Sequence, residues 1–111
     1  MTRKRKLSNV KKGDQREKEV RAMYEAMGYS VEQVRRVKFQ PTDFFGCVDL
    51  ICMRHNDVVL VQVTSHANKA SRRRKLLAFK NHPPSVRKIL MTYLEPQTTF
   101  QKMTWTKEEV A

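Results

Sequence analysis

The first regular pattern of apolar residues along the chain has the spacing of an α-helix. Four apolar side chains fall at positions i, i+3, i+4 and i+7, namely Val20, Met23, Tyr24 and Met27. Asp14, followed three residues later by Glu17, resembles the capping box that starts a helix. Gly28 suits the left-handed residue that commonly ends one. The pattern therefore predicts a helix over about residues 14–27.

Three stretches with the composition of strands follow this helix. Residues 29–38 (YSVEQVRRVK) come after the expected helix end, and we predict a strand there. Residues 44–53 and 58–64 are richer in β-branched, aliphatic and aromatic residues. The polar tetrapeptide Arg54–Asp57 between them suits a tight turn. These last two stretches predict a β-hairpin.

The second half of the chain predicts one more helix and two more strands. Asn68 or Ser71 is the expected N-cap of a helix that runs to about Asn81, where two prolines prevent its continuation. Residues 86–94 predict a fourth strand, and residues 98–105 predict a fifth. The order of elements is thus α-β-β-β-α-β-β. We expect an α/β or α+β domain with a mixed central sheet and flanking helices.

Length and charge narrow the class of protein. The 111 residues contain 23 Lys and Arg against 11 Asp and Glu, which gives a formal net charge of +12. A chain of this length forms one domain, and its excess positive charge favours a polyanionic partner. No apolar run of about 18 residues occurs, so we expect no membrane association and no secretion. A cytoplasmic protein is expected, and a nucleoid-associated or viral setting stays open.

The basic residues are unevenly distributed. We expect a flexible basic arm over residues 1–12 and a single domain over residues 13–111. Residues expected to contact nucleic-acid phosphates come from the arm, the first strand and the second helix: Arg3, Lys4, Arg5, Lys6, Arg35, Arg36, Lys38, Arg72, Arg73 and Arg74. Such contacts give salt-sensitive affinity without reading the base sequence. A solvated surface is the alternative for each charge, but their density favours nucleic acid.

The turn of the hairpin decides which residues face each other. If His55 and Asn56 form a two-residue turn, the numbers of paired residues sum to 111, and Asp49 lies opposite Gln62. A three-residue loop would shift this pairing by one. An acid in an apolar strand is unfavourable unless it is compensated. A divalent cation between Asp49 and the facing strand is one compensation, and backbone or arginine hydrogen bonds are the other.

These features together resemble the PD-(D/E)XK nuclease superfamily, and most closely the archaeal and phage Holliday-junction resolvases. The resemblance is carried by Glu17 on the first helix, the strand VDLIC, a short turn and the strand VVLVQVTS, and it covers about residues 13–82. It implies a restriction-endonuclease-like fold and hydrolysis of DNA phosphodiester bonds with Mg²⁺ or Mn²⁺. By the same analogy, we expect a homodimer that acts on structured or branched DNA.

Carried over residue by residue, the resemblance implies a metal site of three side chains. Asp49 takes the position of the metal-binding aspartate, Gln62 that of the second acidic ligand, and Glu17 that of the helical glutamate. On the predicted helix, Glu17 shares the face of the buried stripe, although capping of the helix start is its alternative role. Asp43, in the loop before the strand, is expected to form a turn or to act as an accessory acid.

Two positions depart from the family pattern. Gln62 is neutral, so its amide oxygen can ligate Mg²⁺ only without the charge that strengthens binding. Thr64 falls where the family has its lysine, and a hydroxyl cannot stabilise developing phosphate charge in the same way. Lys69, at the start of the next helix, is the leading substitute, and Arg72 is the next candidate.

The sequence therefore favours a Mg²⁺-dependent endodeoxyribonuclease. Its expected catalytic site consists of Glu17, Asp49, Gln62, Thr64 and Lys69. A catalytically inactive module of nuclease fold that binds nucleic acid is the main alternative. A basic RNA-binding protein without nuclease chemistry is a third interpretation, which leaves the apolar surroundings of Asp49 unexplained.

Overall fold

Five strands and two helices make up the part of the chain that the structure describes. This computed structural model describes residues 9–34, 43–96, 98 and 100–110, with only the backbone of residues 9–12. The elements in chain order are α1 (Asn9–Ala26), β1 (Ser30–Gln33), β2 (Leu50–Arg54), β3 (Asp57–Ser65), α2 (Lys69–Ala78), β4 (Val86–Leu94) and β5 (Thr104–Val110). The predicted order of elements is confirmed. Within the described ranges, neither helix is long and apolar enough to cross a membrane.

The strands form one mixed sheet in the order β1-β2-β3-β4-β5. β3 and β4 are parallel because α2 connects them, whereas the other neighbours are antiparallel. The register of β2 with β3 follows from a two-residue turn in which Asn56 has a φ of 58°, a left-handed conformation that asparagine tolerates. Leu50 therefore pairs with Val61, which confirms the predicted hairpin pairing.

Each face of the sheet is covered by one helix. Val20 of α1 packs with Val61 in the core on one face. Leu76 of α2 packs with Leu60 and Leu90 on the other face. Because successive strand residues point to opposite faces, the apolar run of β3 is buried on both sides. Each large aliphatic side chain buried in this way contributes about 1.5–3 kcal/mol.

A buried lysine closes the end of α2. Lys88 of β4 is only 1% exposed, and its Nζ donates to the carbonyls of Leu76 (2.7 Å) and Phe79 (2.8 Å). Carbonyls in the last turn of a helix lack intrahelical partners, and a cation there also interacts favourably with the helix dipole. Burial lowers the pKa of Lys88. The helix ends at Ala78, three residues before the predicted end.

The first helix begins earlier than predicted. It starts at Asn9, and Asp14 lies within it, where its carboxylate pairs with Lys18 at 3.1 Å. The capping-box interpretation of Asp14 and Glu17 is therefore wrong, and the helix includes the last four residues of the predicted arm. Gly28 has a φ of 91°, as predicted for the residue that ends the helix. Residues 1–8 of the predicted arm lie outside the described ranges, and they include the four expected phosphate contacts Arg3, Lys4, Arg5 and Lys6.

The two edge strands also differ from their predicted bounds. β1 covers Ser30–Gln33, whereas three basic residues of the predicted strand lie outside the described ranges: Arg35, Arg36 and Lys38. β5 covers Thr104–Val110 and not residues 98–105. In β5, Val110 is buried and most of the other side chains are exposed. An edge strand that buries so few side chains has only a weak apolar alternation in its sequence, and the predicted bounds of 98–105 are wrong for this reason.

We expect Leu90→Ala to destabilise the domain by about 2–5 kcal/mol, because it removes a fully buried side chain beneath α2. Leu94→Ala lies four residues further along the same strand at a position that is 44% exposed, and it should cost less than about 1 kcal/mol. Urea unfolding followed by circular dichroism measures both values. Equal losses in the two variants would contradict the packing described for β4.

Candidate functional site

Asp49 lies immediately before β2, where the ladder between β2 and β3 ends. Its side chain is 1% exposed. The backbone N–H of Val63 donates to Asp49 Oδ2 (2.8 Å), and Nε2 of Gln62 donates to the same oxygen (2.9 Å). The backbone N–H of Asp49 donates to the Val61 carbonyl (2.8 Å). The predicted juxtaposition of Asp49 and Gln62 across the hairpin is therefore confirmed.

A closed loop replaces the first part of the predicted strand over residues 44–53. Phe44 and Val48 exchange backbone hydrogen bonds of 2.8 and 2.9 Å. Between them the chain reverses through Phe45 and Gly46, whose φ angles are 54° and 74°. Because backbone hydrogen bonds within residues 43–48 are formed locally, this segment cannot continue the β2 ladder. The prediction of a strand from residue 44 is therefore wrong.

The same loop brings a second carboxyl to Asp49. The side chain of Asp43 forms a hydrogen bond with that of Asp49. The Asp43 backbone carbonyl also accepts from the N–H of Gly46 (3.3 Å), so this residue forms a turn, as expected. Nη1 of Arg72 lies 3.9 Å from Asp43 Oδ2. The structure thus brings Asp43 and Arg72 to the site. The sequence favours Asp49 over the first as a metal ligand and Lys69 over the second as the cation.

Glu17 belongs to α1, the helix that covers the face of the sheet opposite α2. Its side chain is 1% exposed, as the predicted buried stripe requires. Gln33 Nε2 donates to Glu17 Oε2 (3.5 Å) and to Asp14 Oδ1 (3.3 Å). These two hydrogen bonds connect the acidic side chains of α1 to β1. The negative charge of Glu17 acts on the carboxyl of Asp49. Acidic side chains from α1 and from the loop therefore converge on one buried carboxyl.

This environment opposes ionisation of Asp49. Burial, followed by the negative charge of Glu17, raises the pKa of Asp49 to about 8. The hydrogen bond from the Val63 N–H favours the carboxylate and opposes this shift, whereas the hydrogen bond with Asp43 supports it. Together these contributions favour the protonated form of Asp49 up to about pH 8.

Gln62 contributes an unsatisfied oxygen beside this acidic group. Its Nε2 donates to Asp49 and, at 3.3 Å, to the Val63 carbonyl, but its Oε1 is buried and accepts no hydrogen bond from any residue that the structure describes. A buried acceptor without a donor costs about 1–3 kcal/mol and calls for a physical explanation. An amide oxygen next to carboxylates is a ligand that Mg²⁺ and Mn²⁺ accept.

The donor types therefore fit a hard divalent cation, although the cluster is not a closed cage. Among residues 9–34, 43–96, 98 and 100–110, no three His, Cys, Asp or Glu side chains are close enough together to hold a metal ion. A metal site here would use the amide oxygen of Gln62 together with carboxylates of Asp49 and Asp43, and Glu17 would complete the acidic surroundings.

Thr64, at the position of the family's lysine, and Lys69, its leading substitute, form no hydrogen bond or ion pair with the carboxyls of Asp49 and Asp43 within the described part of the chain. Thr64 is 4% exposed, and its Oγ1 donates to the Ser65 carbonyl (3.2 Å). Lys69 is the first residue of α2 and is half-buried, and no hydrogen bond or ion pair joins its ammonium to another residue of the described ranges. Arg72, the second candidate, instead supplies the cation that contacts Asp43.

The arginines of α2 differ in how they are engaged. Arg73 Nε is paired with Glu108 Oε2 at 2.6 Å, so part of its charge is used within the domain. Arg74 is exposed, and no ion pair connects it to another residue that the structure describes. Among these three neighbouring arginines, Arg74 is therefore the one whose charge is directed to solvent.

Comparison of the chain with models of known protein families gives no match, and comparison with curated proteins gives none. The interpretation of the site rests on its geometry. That geometry combines a buried acidic group, an unsatisfied amide oxygen in Gln62 and a basic helix beside them.

The raised pKa of Asp49 predicts that the domain loses stability as the pH rises. Between the ordinary value of 3.8 and about 8, the folded state holds one proton more than the unfolded state. The free energy of unfolding should therefore decrease by on the order of 1 kcal/mol per pH unit between about pH 5 and pH 8. Asp49→Asn removes this titration and should flatten the profile.

Urea unfolding at several pH values, without divalent cations, measures this effect. Glu25→Gln serves as the control, because Glu25 lies on α1 with half of its side chain exposed and should leave the slope of the wild type unchanged. A profile for Asp49→Asn as steep as that of the wild type would show that another group is responsible.

Proposed function

We propose that this protein is a metal-dependent endonuclease of restriction-endonuclease-like fold that hydrolyses phosphodiester bonds in DNA. The observation that carries the proposal is the buried Gln62 Oε1, which has no hydrogen-bond partner among the described residues and lies in the side chain that contacts Asp49. A structural role for Asp49 alone would not require an unsatisfied acceptor beside it. A cation shared by this oxygen and the carboxylates would satisfy both.

The arrangement of elements supports the same class of enzyme. A glutamate-bearing helix precedes an antiparallel hairpin with the acidic position immediately before its first strand, and a helix and a parallel strand follow. This is the layout that the resemblance implies for the PD-(D/E)XK nucleases. Action on structured or branched DNA, and action as a homodimer, are the parts of the proposal that depend on the resemblance alone.

Each part of the site has a role in this chemistry. Asp49, Gln62 and Asp43 would hold Mg²⁺ or Mn²⁺, which supplies an activated water and polarises the phosphate when bound. The negative charge of Glu17 would favour binding of a cation by the carboxyl of Asp49. Arg72 is placed to stabilise charge on the phosphate, because its guanidinium already lies at the edge of the acidic group.

The positive surface would hold the DNA strands near this site. Arg74 and its neighbours on α2 lie on the same helix as Arg72, so phosphates bound there are adjacent to the acidic group. Phosphate contacts of this type set the position of the duplex and leave base sequence unread. The net charge of +12 adds a long-range attraction that accelerates association.

A specific observation favours a second candidate, the catalytically inactive binding module. Thr64 stands where the family has its lysine, and its hydroxyl is directed to the backbone carbonyl of Ser65. If Arg72 does not replace the lysine, the acidic group remains as a stabilising element and the basic surface still binds DNA. Cleavage therefore separates the two candidates, and binding does not.

We expect Mg²⁺- or Mn²⁺-dependent cleavage of DNA by the wild type and a loss of at least about 100-fold in Asp49→Ala, because a metal contributes several kcal/mol to transition-state stabilisation. Asp49→Asn should show the same loss while retaining an acceptor for the Val63 N–H. The assay compares duplex, single-stranded, flap and four-way-junction DNA.

Glu25→Gln is the control for this experiment, since Glu25 is an exposed acid on the same helix as Glu17, and its rate should match the wild type. Robust cleavage by both Asp49 variants would refute the site. Tight binding without cleavage under any divalent metal would identify the inactive module.

Removal of one solvent-directed arginine should weaken DNA binding through its salt dependence. For Arg74→Ala, the plot of log affinity against log salt concentration should become shallower by about 0.9, the contribution of one phosphate contact. Arg21→Ala removes an arginine that is 41% exposed and paired with Glu25 on α1, and its slope should equal that of the wild type. Fluorescence anisotropy measures both, and indistinguishable slopes for the two variants would argue against α2 as the contact surface.

A further inference from the structure

Phe45 is the most conspicuous apolar side chain near the acidic group. It is 65% exposed, although phenylalanine is ordinarily buried. Its φ of 54° is a conformation that a bulky residue rarely adopts, and such strain is typical of functional positions. The local hydrogen bonds between Phe44 and Val48 hold this conformation in place. The loop therefore presents the ring to solvent at a cost in backbone energy.

One face of the Phe45 ring is supported from within the domain. The ring stacks on Phe79 with centroids 5.0 Å apart and planes inclined by 17°. Phe79 in turn contacts the ring of His82 at 5.7 Å. Because the stack covers only one face of Phe45 and the residue is largely exposed, the opposite face is open. Supported rings of this kind form a flat surface with a fixed orientation.

Basic residues lie close in sequence to Phe79, which supports the ring, and Arg72 contacts the loop that carries it. Lys80 directly follows Phe79 and is exposed, and Lys75 is an exposed residue one turn earlier on α2. Arg72 contacts Asp43, only two residues before Phe45. Two extended residues span at most about 7 Å, the length of roughly two nucleotides along a strand. A ligand on the ring would therefore be planar, carry negative charge and extend toward the acidic group.

We propose that Phe45 is a stacking platform for an unpaired DNA base next to the acidic group, an inference that rests on the proposed nuclease function and specifies its substrate class. Bases within an intact duplex are stacked on both faces and cannot cover the ring, whereas an unpaired base can. The substrate therefore contains a single-stranded or splayed segment beside the phosphate that is cut. An apolar protein partner would not explain the exposed Lys75 and Lys80 beside Phe79, the residue that supports the ring.

The test separates base stacking from phosphate attraction. Fluorescence anisotropy in EDTA, where cleavage is excluded, compares an oligothymidylate of about 12 nucleotides with an abasic oligonucleotide of equal length and charge. The wild type should bind the oligothymidylate about tenfold more tightly, because only that strand has bases to stack. Phe45→Leu, which keeps an apolar side chain without an aromatic face, should lose this preference while its affinity for the abasic strand stays unchanged.

Phe45→Trp should retain or increase the preference, since indole also stacks, and this variant guards against a general effect of mutation at the position. Circular dichroism and thermal unfolding of each variant show that the fold is kept. A base preference in Phe45→Leu equal to that of the wild type would overturn the proposal, as would the absence of any preference in the wild type.

The outcome is independent of whether the protein cuts DNA. Loss of the preference in Phe45→Leu together with no cleavage by the wild type would refute the nuclease and keep the stacking platform. Cleavage by the wild type that needs Asp49, together with an unaffected preference in Phe45→Leu, would keep the nuclease and refute the platform.

Discussion

The hydrogen bond from the Val63 N–H to Asp49 Oδ2 is the contact on which the site depends. Asp49 lies one residue before the start of β2, at a level where the neighbouring strand β3 continues. Its carboxyl therefore accepts from the Val63 N–H of β3, a donor that the backbone of Asp49 does not pair. The carboxyl cannot move away without leaving that donor unpaired in the interior. The acidic position is therefore fixed by the same constraint that completes the sheet, and Gln62, Asp43 and Glu17 are arranged around it.

The charges around Asp49 in the interior are negative, whereas the exposed charges of α2 are positive. A chain of net charge +12 buries the carboxyls of Asp49 and Glu17 and exposes Arg74, Lys75 and Lys80 on or next to α2. The negative charge of Glu17 and the burial of Asp49 both oppose ionisation of the Asp49 carboxyl. With the pKa of Asp49 raised to about 8, proton and metal compete for the same oxygens near neutral pH. Metal binding would then release a proton, which links affinity for the metal to pH.

The hairpin and the central strands could be predicted because their signals are local and strong. A two-residue turn determines the register, and apolar residues fill five of the six positions 58–63 of β3 and the run at positions 89–91 of β4. The pairing of Asp49 with Gln62 follows from these two facts alone. The buried position of Glu17 follows equally from helical periodicity, since it shares a face with Val20.

Other features depend on contacts between distant parts of the chain, which periodicity does not report. The loop over residues 43–48 is held by its own hydrogen bonds, and composition alone made it resemble a strand. Lys88 is buried because α2 ends with its carbonyls above β4, a tertiary arrangement that cancels the usual preference of lysine for solvent. β5 contributes little to the core, so the sequence contains little record of its position.

The second helix shows why fold and function are connected in this domain. Its ten residues, KASRRRKLLA, include five cations and no acid, so neighbouring turns repel one another. Its N-cap residue, Asn68, forms no side-chain capping bond, and a helix this short is marginal by itself. Burial of Leu76 and the Lys88 bonds to its last carbonyls oppose this repulsion. A polyanion along the exposed face would remove the repulsion altogether, and for that reason DNA binding and the stability of α2 should be thermodynamically linked.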